Sequence, residues 1–326
     1  MTTEILHKPD AVIVGGRCAG AATAMLLARA GLKVLVIDRD SYGTDTLSTH
    51  ALMRTGVAML SRWGVLDRIV AEGTPLVHRT TFAYGEERIE IDIRPDGDIP
   101  GLFAPRRSVL DRHLADAAMA AGAEFRFGSH VTGLVRDDLG RVTGVVLSRR
   151  NGTETVVRTG LVIGADGRGS MVARAAGAQK IVGTDATTAG VFGYVPGIRN
   201  EGYRWYFGKD AHLALIPTNG GEHCVCTIGP RARYREMFGG DPMRGFLDTI
   251  AAFDGPLADA VRTAPDGVTL RRWGGAPGFI RQSHGPGWAL VGDAGYFKDP
   301  ITAHGITDAL RDAALLAEAV ASGRPS

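Results

Sequence analysis

The stretch Asp10-Ala-Val-Ile-Val-Gly15-Gly-Arg-Cys-Ala-Gly20 decides the fold. Its first part is apolar, β-branched and ended by glycine, which predicts a buried strand over 10–15. The small residues over 18–30 predict a helix that Gly31 stops. Residues 33–38 are a second apolar strand, ending in Asp38. Strand, turn, helix and strand within about 30 residues make a βαβ unit. In the dinucleotide-binding form of this unit the turn reads G-x-G-x-x-G. The first Gly turns tightly, the second admits a pyrophosphate, and the third lets the helix pack on the strand. Gly15 and Gly20 fill the first and third places, Gly16 lies between them, and Arg17 stands at the second. Cys18 and Ala19 open the helix, whose N-terminal N–H groups and positive dipole end suit phosphate. Arg17 is expected to put its guanidinium on a diphosphate. Asp38, followed by Arg39, stands where a carboxylate accepts a hydrogen bond from a ribose hydroxyl. A ligand-free strand–helix turn is the plainer alternative for one short motif.

Two further segments repeat the pattern of apolar strand, glycine and carboxylate. Leu161-Val-Ile-Gly-Ala-Asp166-Gly167-Arg-Gly-Ser170 is the first, and Trp288-Ala-Leu-Val-Gly292-Asp293-Ala294 the second. Each glycine relieves crowding where backbone turns toward a ligand, and each carboxylate can accept a hydroxyl hydrogen bond. Pro300-Ile-Thr-Ala-His304-Gly305-Ile306 follows, then a helix from about 302 to 320. The N-terminus of that helix can stabilise negative charge.

The rest of the chain reads as mixed α/β. Residues 45–64 form a loop and helix with Leu52, Val57, Met59, Leu60 and Trp63 toward the core. Residues 77–84 and 88–93 form a hairpin, and 95–100 a turn-rich linker. Ser108 is expected to N-cap a helix running to about 121. Strands over 124–134, 142–148 and 153–158, with turns at Gly140 and Asn151–Gly152, make a meander. Residues 185–235 are strand-rich and aromatic, and 236–263 helical with Pro242 and Pro256 as interruptions. Nucleotide-type segments at both ends, with sheet between them, predict a discontinuous layout. The expected division is 1–76, 101–183 and 281–326 for the nucleotide domain, and 77–100 and 184–280 for an inserted sheet domain.

These three spaced motifs resemble those of the FAD-dependent monooxygenases of the p-hydroxybenzoate hydroxylase type. Their wider group includes flavin halogenases and geranylgeranyl reductases. The resemblance implies an α/β fold: a Rossmann-like FAD-binding domain of the GR2 type with an inserted β-sheet substrate domain. By this resemblance Asp166 and Gly167 touch FAD and NAD(P)H, and Asp293, after Gly292, binds the ribityl chain. Pro300, His304, Gly305 and Ile306 border the isoalloxazine ring, Arg107 lies beside FAD, and Val131 contacts adenine. The implied reaction is NAD(P)H reduction of FAD, addition of O2 to give a C4a-hydroperoxide, and oxygen transfer to a small aromatic or apolar substrate. Two departures stand out: Arg17 replaces the middle Gly, although a subgroup carries Arg-Cys-Ala-Gly, and the chain stops soon after the last helix where many relatives continue.

The substrate side is less legible. Tyr203, Trp205 and Tyr206 are candidates for an apolar pocket, with sheet packing as the alternative. His50 faces either the site or a structural hydrogen bond. Cys224 and Cys226 share a strand face, but no second pair or His accompanies them, so no metal site is expected. Arg106, Arg271, Arg272 and Arg281 are candidates for NAD(P)H phosphate or plain surface charge. The Tyr203-Arg-Trp205-Tyr-Phe207 run resembles a geranylgeranyl reductase pattern, with Gly208 where Pro is expected, so reduction of isolated double bonds is one alternative. A non-catalytic flavin-binding protein is another.

At 326 residues the chain can bury a large core, and its net charge of +2 argues against a nucleic-acid partner. Three cysteines suggest reduced thiols and a cytoplasmic setting. No apolar run approaches the roughly 20 residues of an integral membrane span, and the polar first nine residues carry no signal-peptide pattern. A monomer or homodimer is expected.

Overall fold

The βαβ unit forms as strand Ala11–Val14, helix Cys18–Arg29 and strand Val34–Ile37. The computed structural model describes residues 8–148, 153–185, 187–263 and 267–323. Six strands form the central sheet, in the order His284–Gly285, Trp288–Leu290, Leu161–Gly164, Ala11–Val14, Val34–Ile37 and Glu124–Arg126. All pairings are parallel except that of the His284–Gly285 edge. The four inner strands are continuous apolar runs because both faces are covered. Helices Arg107–Ala120 and Gly305–Ala321 pack on Cys18–Arg29 on one side. The alanines and glycine of that helix admit this close approach. Gly305–Ala321 buries Ile306, Leu310, Ala313 and Ala317 at helical spacing. On the other face lies the antiparallel meander His130–Arg136, Val142–Ser148 and Glu154–Arg158.

A second sheet has seven strands, in the order Arg271–Trp273, Thr188–Pro196, Glu222–Pro230, His212–Pro217, Tyr203–Phe207, Arg79–Tyr84 and Glu87–Asp92. Its outer face is covered by helices Tyr234–Phe238, Pro242–Ala251 and Gly255–Arg262, around Phe238, Phe246 and Ile250. A third sheet pairs Lys180–Thr184, Gly278–Arg281 and Tyr296–Phe297, and so straddles the domain boundaries expected at 183 and 280. No helix among the described residues is long and apolar enough to cross a membrane.

Several local expectations are corrected. Ser108 is not the N-cap of its helix; Arg106 is, and Ser108 lies inside the first turn. The strand expected over 124–134 breaks in two, because Glu124–Arg126 joins the central sheet while His130–Arg136 joins the meander. Pro242 and Pro256 do not interrupt helices but sit in their first turns, behind the side-chain caps of Asp241 and Asp254. The missing N–H of proline costs nothing there. The last helix starts at Gly305, after a short turn at Pro300–Thr302. The Asn151–Gly152 turn lies outside the described residues.

Candidate active site: a cavity between the two large sheets

One cavity of about 680 Å³ runs from Asp38 to Pro300, within the range of small-molecule and cofactor sites. It begins at the Gly15–Gly20 turn. Gly15 has φ +101°, and a Cβ there would lie 2.4 Å from the Ala165 carbonyl oxygen; a Cβ on Gly20 would lie 1.8 Å from the Gly15 oxygen. The turn is therefore as tight as its glycines allow. The helix behind it has no side-chain cap and no acidic residue in its first turn. Its N–H groups and dipole face the cavity wall formed by Gly15, Cys18 and Ala19.

Arg17 lines this end, with its guanidinium tied to Asp40 at 3.0 Å and Asp111 at 3.3 Å. Asp111 is shared with Arg107, 3.0 Å away, and Arg107 also reaches the Cys18 sulfur at 3.5 Å. Burial pushes the Cys18 thiol up to about 11, so it is a protonated packing group, not a nucleophile. Asp38 ends its strand with both oxygens on backbone, one taking the Gly16 N–H and the other the Asp40 N–H at 2.7 Å. It fixes the turn and still has lone pairs toward the cavity, which Arg39 and Val131 also line.

The two carboxylates of the later segments differ in role. Asp166 is spent on helix Met171–Ala176: it accepts from the Ser170 hydroxyl and from the N–H groups of Met171 and Val172. Gly167, at φ +75°, lets the chain turn past the cavity. Asp293 makes no hydrogen bond or ion pair among the described residues. Burial raises its pKa, against the opposing charges of Arg107 and Arg168. A desolvated carboxylate without a donor is suited to a hydroxyl-bearing ligand, and this is the observation by which the cavity fits the ribityl chain of FAD. Gly292, at φ +59°, is held by a 3.1 Å bond from its N–H to Asp312.

At the far end Pro300, Gly305 and Ile306 line the cavity. His304 is exposed, with Nδ1 on the Thr302 carbonyl oxygen, and is not part of the lining. The opposite wall is the inner face of the seven-stranded sheet, with Phe192, Cys226, Ile228 and Trp273. The crossing loop adds Thr46, Leu47, Ser48 and Thr49. None of these wall and loop residues was singled out from the sequence as lining the site. Phe192 and Cys226 are register partners, as are Cys226 and Ala214, and Ala214 and Trp205. A period-2 pattern within each strand was visible, but the pairing between strands was not.

The aromatic trio, for which an apolar pocket and sheet packing were both open, lies outside this lining. Tyr203 is buried and donates to the Phe103 carbonyl oxygen at 2.8 Å. Tyr206 faces the opposite side and packs with Phe238 and Phe246. Trp205 shares the face of Cys226 but stands two strands away, bonded to Thr80 at 3.1 Å. The sheet needs these rings for its own packing.

His50 does not line the cavity either. It is fully buried with φ +64°, and its Nε2 lies 2.6 Å from the Tyr194 hydroxyl. The Arg106 guanidinium covers the Tyr194 ring at 3.4 Å and pairs with Asp45 and Glu222. This cluster anchors the loop that crosses the cavity. Burial drives the His50 pKa down to about 3, against the attraction of Asp45. The unfolded chain therefore takes up a proton near pH 6.5 that the folded chain refuses. Stability is full above pH 6.5 and is lost as pH falls toward 3, with a slope of at most about 1.4 kcal/mol per pH unit. His50→Asn, which tolerates positive φ without ionising, is expected to flatten that slope in urea unfolding measured from pH 7 to pH 4.

The chain is similar to known flavoproteins. A digeranylgeranylglycerophospholipid reductase of Methanosarcina mazei is 30% identical over 323 residues, which is 96% of this chain and 75% of that protein. A menaquinone reductase of Mycolicibacterium smegmatis is 28% identical, over 97% of this chain and 76% of the relative. The crystal structure of a flavoprotein/dehydrogenase from Cytophaga hutchinsonii superposes with a TM-score of 0.83 at 20% identity, covering 98% of this chain and 80% of that one, and so shares the fold. The model of the FAD binding domain matches residues 8–323, and the chain belongs to that family of FAD-dependent oxidoreductases.

Proposed function

We propose that this enzyme is an NAD(P)H-dependent monooxygenase that transfers an oxygen atom from O2 to an apolar, electron-rich substrate. When bound, FAD supplies the redox chemistry; the chain positions it and shapes the space around it. In this reading the Gly15–Gly20 turn carries the diphosphate, with the fixed charge of Arg17 beside it. Asp38, Arg39 and Val131 hold the adenosine end. Arg107, Gly167 and Asp293 hold the middle, and Pro300, Gly305 and Ile306 border the ring, with His304 closing the helix N-terminus beside them. In this reading a sheet domain of residues 77–100 and 184–280 is inserted into the FAD-binding domain, with the small third sheet as the seam.

The observation that carries the reading is the wall facing the ring end. Phe192, Ile228 and Trp273 make it apolar, and no carboxylic acid stands free on it among the described residues. Asp299 is engaged by Thr188 and the Ile301 N–H, and Asp308 by Lys298 and Arg311. Oxygen transfer to an electron-rich ring asks the protein for a dry slot. Hydride reduction of an isolated double bond asks in addition for a proton donor. Reduction is the second reading, favoured by the two named reductases and by the Cys226 thiol and Ser48 hydroxyl in the lining.

Product mass decides between them. The FAD-loaded enzyme, given NADH or NADPH, O2 and a panel of phenols, quinones and polyprenyl compounds, is expected to give a product heavier by 16 mass units, about one oxygen atom. A product heavier by about 2 units, formed equally without O2, would establish reduction instead. No substrate-stimulated oxidation of NAD(P)H across the panel would point to a flavin carrier.

A further inference from the structure

Four cations gather at the rim of the cavity: Arg168, Arg174, Lys180 and Arg281. The Arg168 guanidinium lies 4.6 Å from the centre of the Trp273 ring and 5.3 Å from that of Phe297. The Arg281 guanidinium lies 4.2 Å, and the Lys180 ammonium 5.4 Å, from the centre of Phe279. The Phe279 and Phe297 centroids are 6.0 Å apart, so cations and rings form one continuous series. Arg174 stands beside it, with its guanidinium on the Gly169 carbonyl oxygen. Burial, and after it the neighbouring charge of Arg174, push the Arg281 pKa down against the opposing charge of Asp166.

This arrangement works against the fold. Lys180 and Arg281 are direct cross-strand partners, and like charges in that relation destabilise a sheet. None of the four cations has an ion pair among the described residues. By contrast Arg17 and Arg107, which line the same cavity, are paired with carboxylates. Two carboxylates offset the rim only in part: Asp166, whose hydrogen bonds go to Ser170, Met171 and Val172, acts on Arg281 through space, and Asp293 acts on Arg168, neither forming an ion pair with them. Arg168 and Arg174 line the cavity, whereas Lys180 and Arg281 lie beyond its lining, so the positive patch leads outward.

We infer that this rim is a phosphate-binding site for a second ligand, one that carries a phosphomonoester or diphosphate and enters the cavity past Trp273. Contact with the rings holds the guanidinium groups of Arg168 and Arg281 in place; Arg281 gives Nη1 to the Ala294 carbonyl oxygen at 3.3 Å and keeps its other N–H groups for phosphate oxygens. Two ligands share this chemistry: a nicotinamide dinucleotide and a phospholipid-like substrate. Beside the rim Ile181 and Val182 are 67% and 54% exposed, a surface that an acyl or prenyl chain would cover. The inference rests on the FAD cavity only for the direction of entry, and holds for oxygen transfer and for reduction alike.

The test is calorimetric titration of the FAD-loaded protein with inorganic pyrophosphate at low ionic strength. Wild-type protein is expected to bind it, and binding should weaken as salt is raised. Lys180→Gln and Arg281→Gln are each expected to weaken it about tenfold, as loss of one charge-assisted contact implies, while Arg281→Lys keeps most of the affinity. Bound flavin, read from visible absorption, should be equal in all variants, which separates this result from a failure of the flavin site itself. Competition by 2′,5′-ADP would identify the dinucleotide as the source. Cosedimentation with phosphatidylglycerol but not phosphatidylcholine vesicles, lost in the double variant, would identify the lipid. No pyrophosphate binding by the wild type, or equal binding by the flavin-loaded Lys180→Gln/Arg281→Gln double variant, overturns the inference.

Discussion

Asp293→Ala is expected to weaken FAD binding by roughly one to two orders of magnitude, the worth of a hydrogen bond to a charged group in a desolvated site. Among the described residues Asp293 is the motif carboxylate left without a donor, whereas Asp38 and Asp166 have structural bonds to keep. The same residue should trade cofactor affinity against stability. Its pKa is raised in the folded apo-protein, so the native state holds that proton more tightly than the unfolded chain does. Stability contributed by the protonated form is present at low pH and lost as pH rises through the folded pKa. Asp293→Asn removes the buried charge and is expected to raise the melting temperature of the apo-protein at pH 8 while still weakening FAD. Flavin-fluorescence titration and calorimetry of the apo-protein check both halves. An unchanged FAD affinity in Asp293→Ala would remove Asp293 from the site.

Gly20→Ala is expected to be more damaging to the fold than any other single methyl added to the turn. The new Cβ would meet the Gly15 carbonyl oxygen at 1.8 Å, and that carbonyl belongs to backbone. Gly15 cannot yield, because its own Cβ position faces the Ala165 carbonyl oxygen at 2.4 Å. Strand Ala11–Val14, helix Cys18–Arg29 and strand Leu161–Gly164 would have to separate. The cost should exceed about 3 kcal/mol, beyond the usual range for overpacking, with loss of FAD. Gly16→Ala is the control. Its Cβ would meet only the Asp38 side chain at 3.2 Å and the Phe125 ring at 3.3 Å, so it should cost under about 1.5 kcal/mol. Urea unfolding of the three proteins measures the difference.

The cofactor half of the site was legible because its signals are local. Ala11–Val14, Leu161–Gly164 and Trp288–Leu290 are short apolar runs, each followed within a few residues by glycine, the last two also by a carboxylate, and they lie side by side in one parallel sheet. The structural bonds of each carboxylate were not legible. The role of Asp166 depends on a helix that begins five residues later, and Asp293 is defined by what fails to approach it. The substrate wall was hidden for another reason. Phe192 and Cys226 are 34 positions apart and meet only through strand register, which depends on the whole sheet. The Tyr203–Phe207 aromatics drew attention as a cluster, yet alternation sends Tyr206 to the far face, and Tyr203 is used up by the Phe103 carbonyl oxygen. The prolines at 242 and 256 misled because the capping aspartates just before them outrank the rule that proline breaks helices.

The most direct test of the account is titration of the apo-protein with FAD, followed by visible absorption and calorimetry. Binding of one FAD per chain, weakened in Asp293→Ala and unaffected by His50→Asn, is the predicted result. Failure of the folded wild-type protein to retain flavin after reconstitution with excess FAD would contradict it.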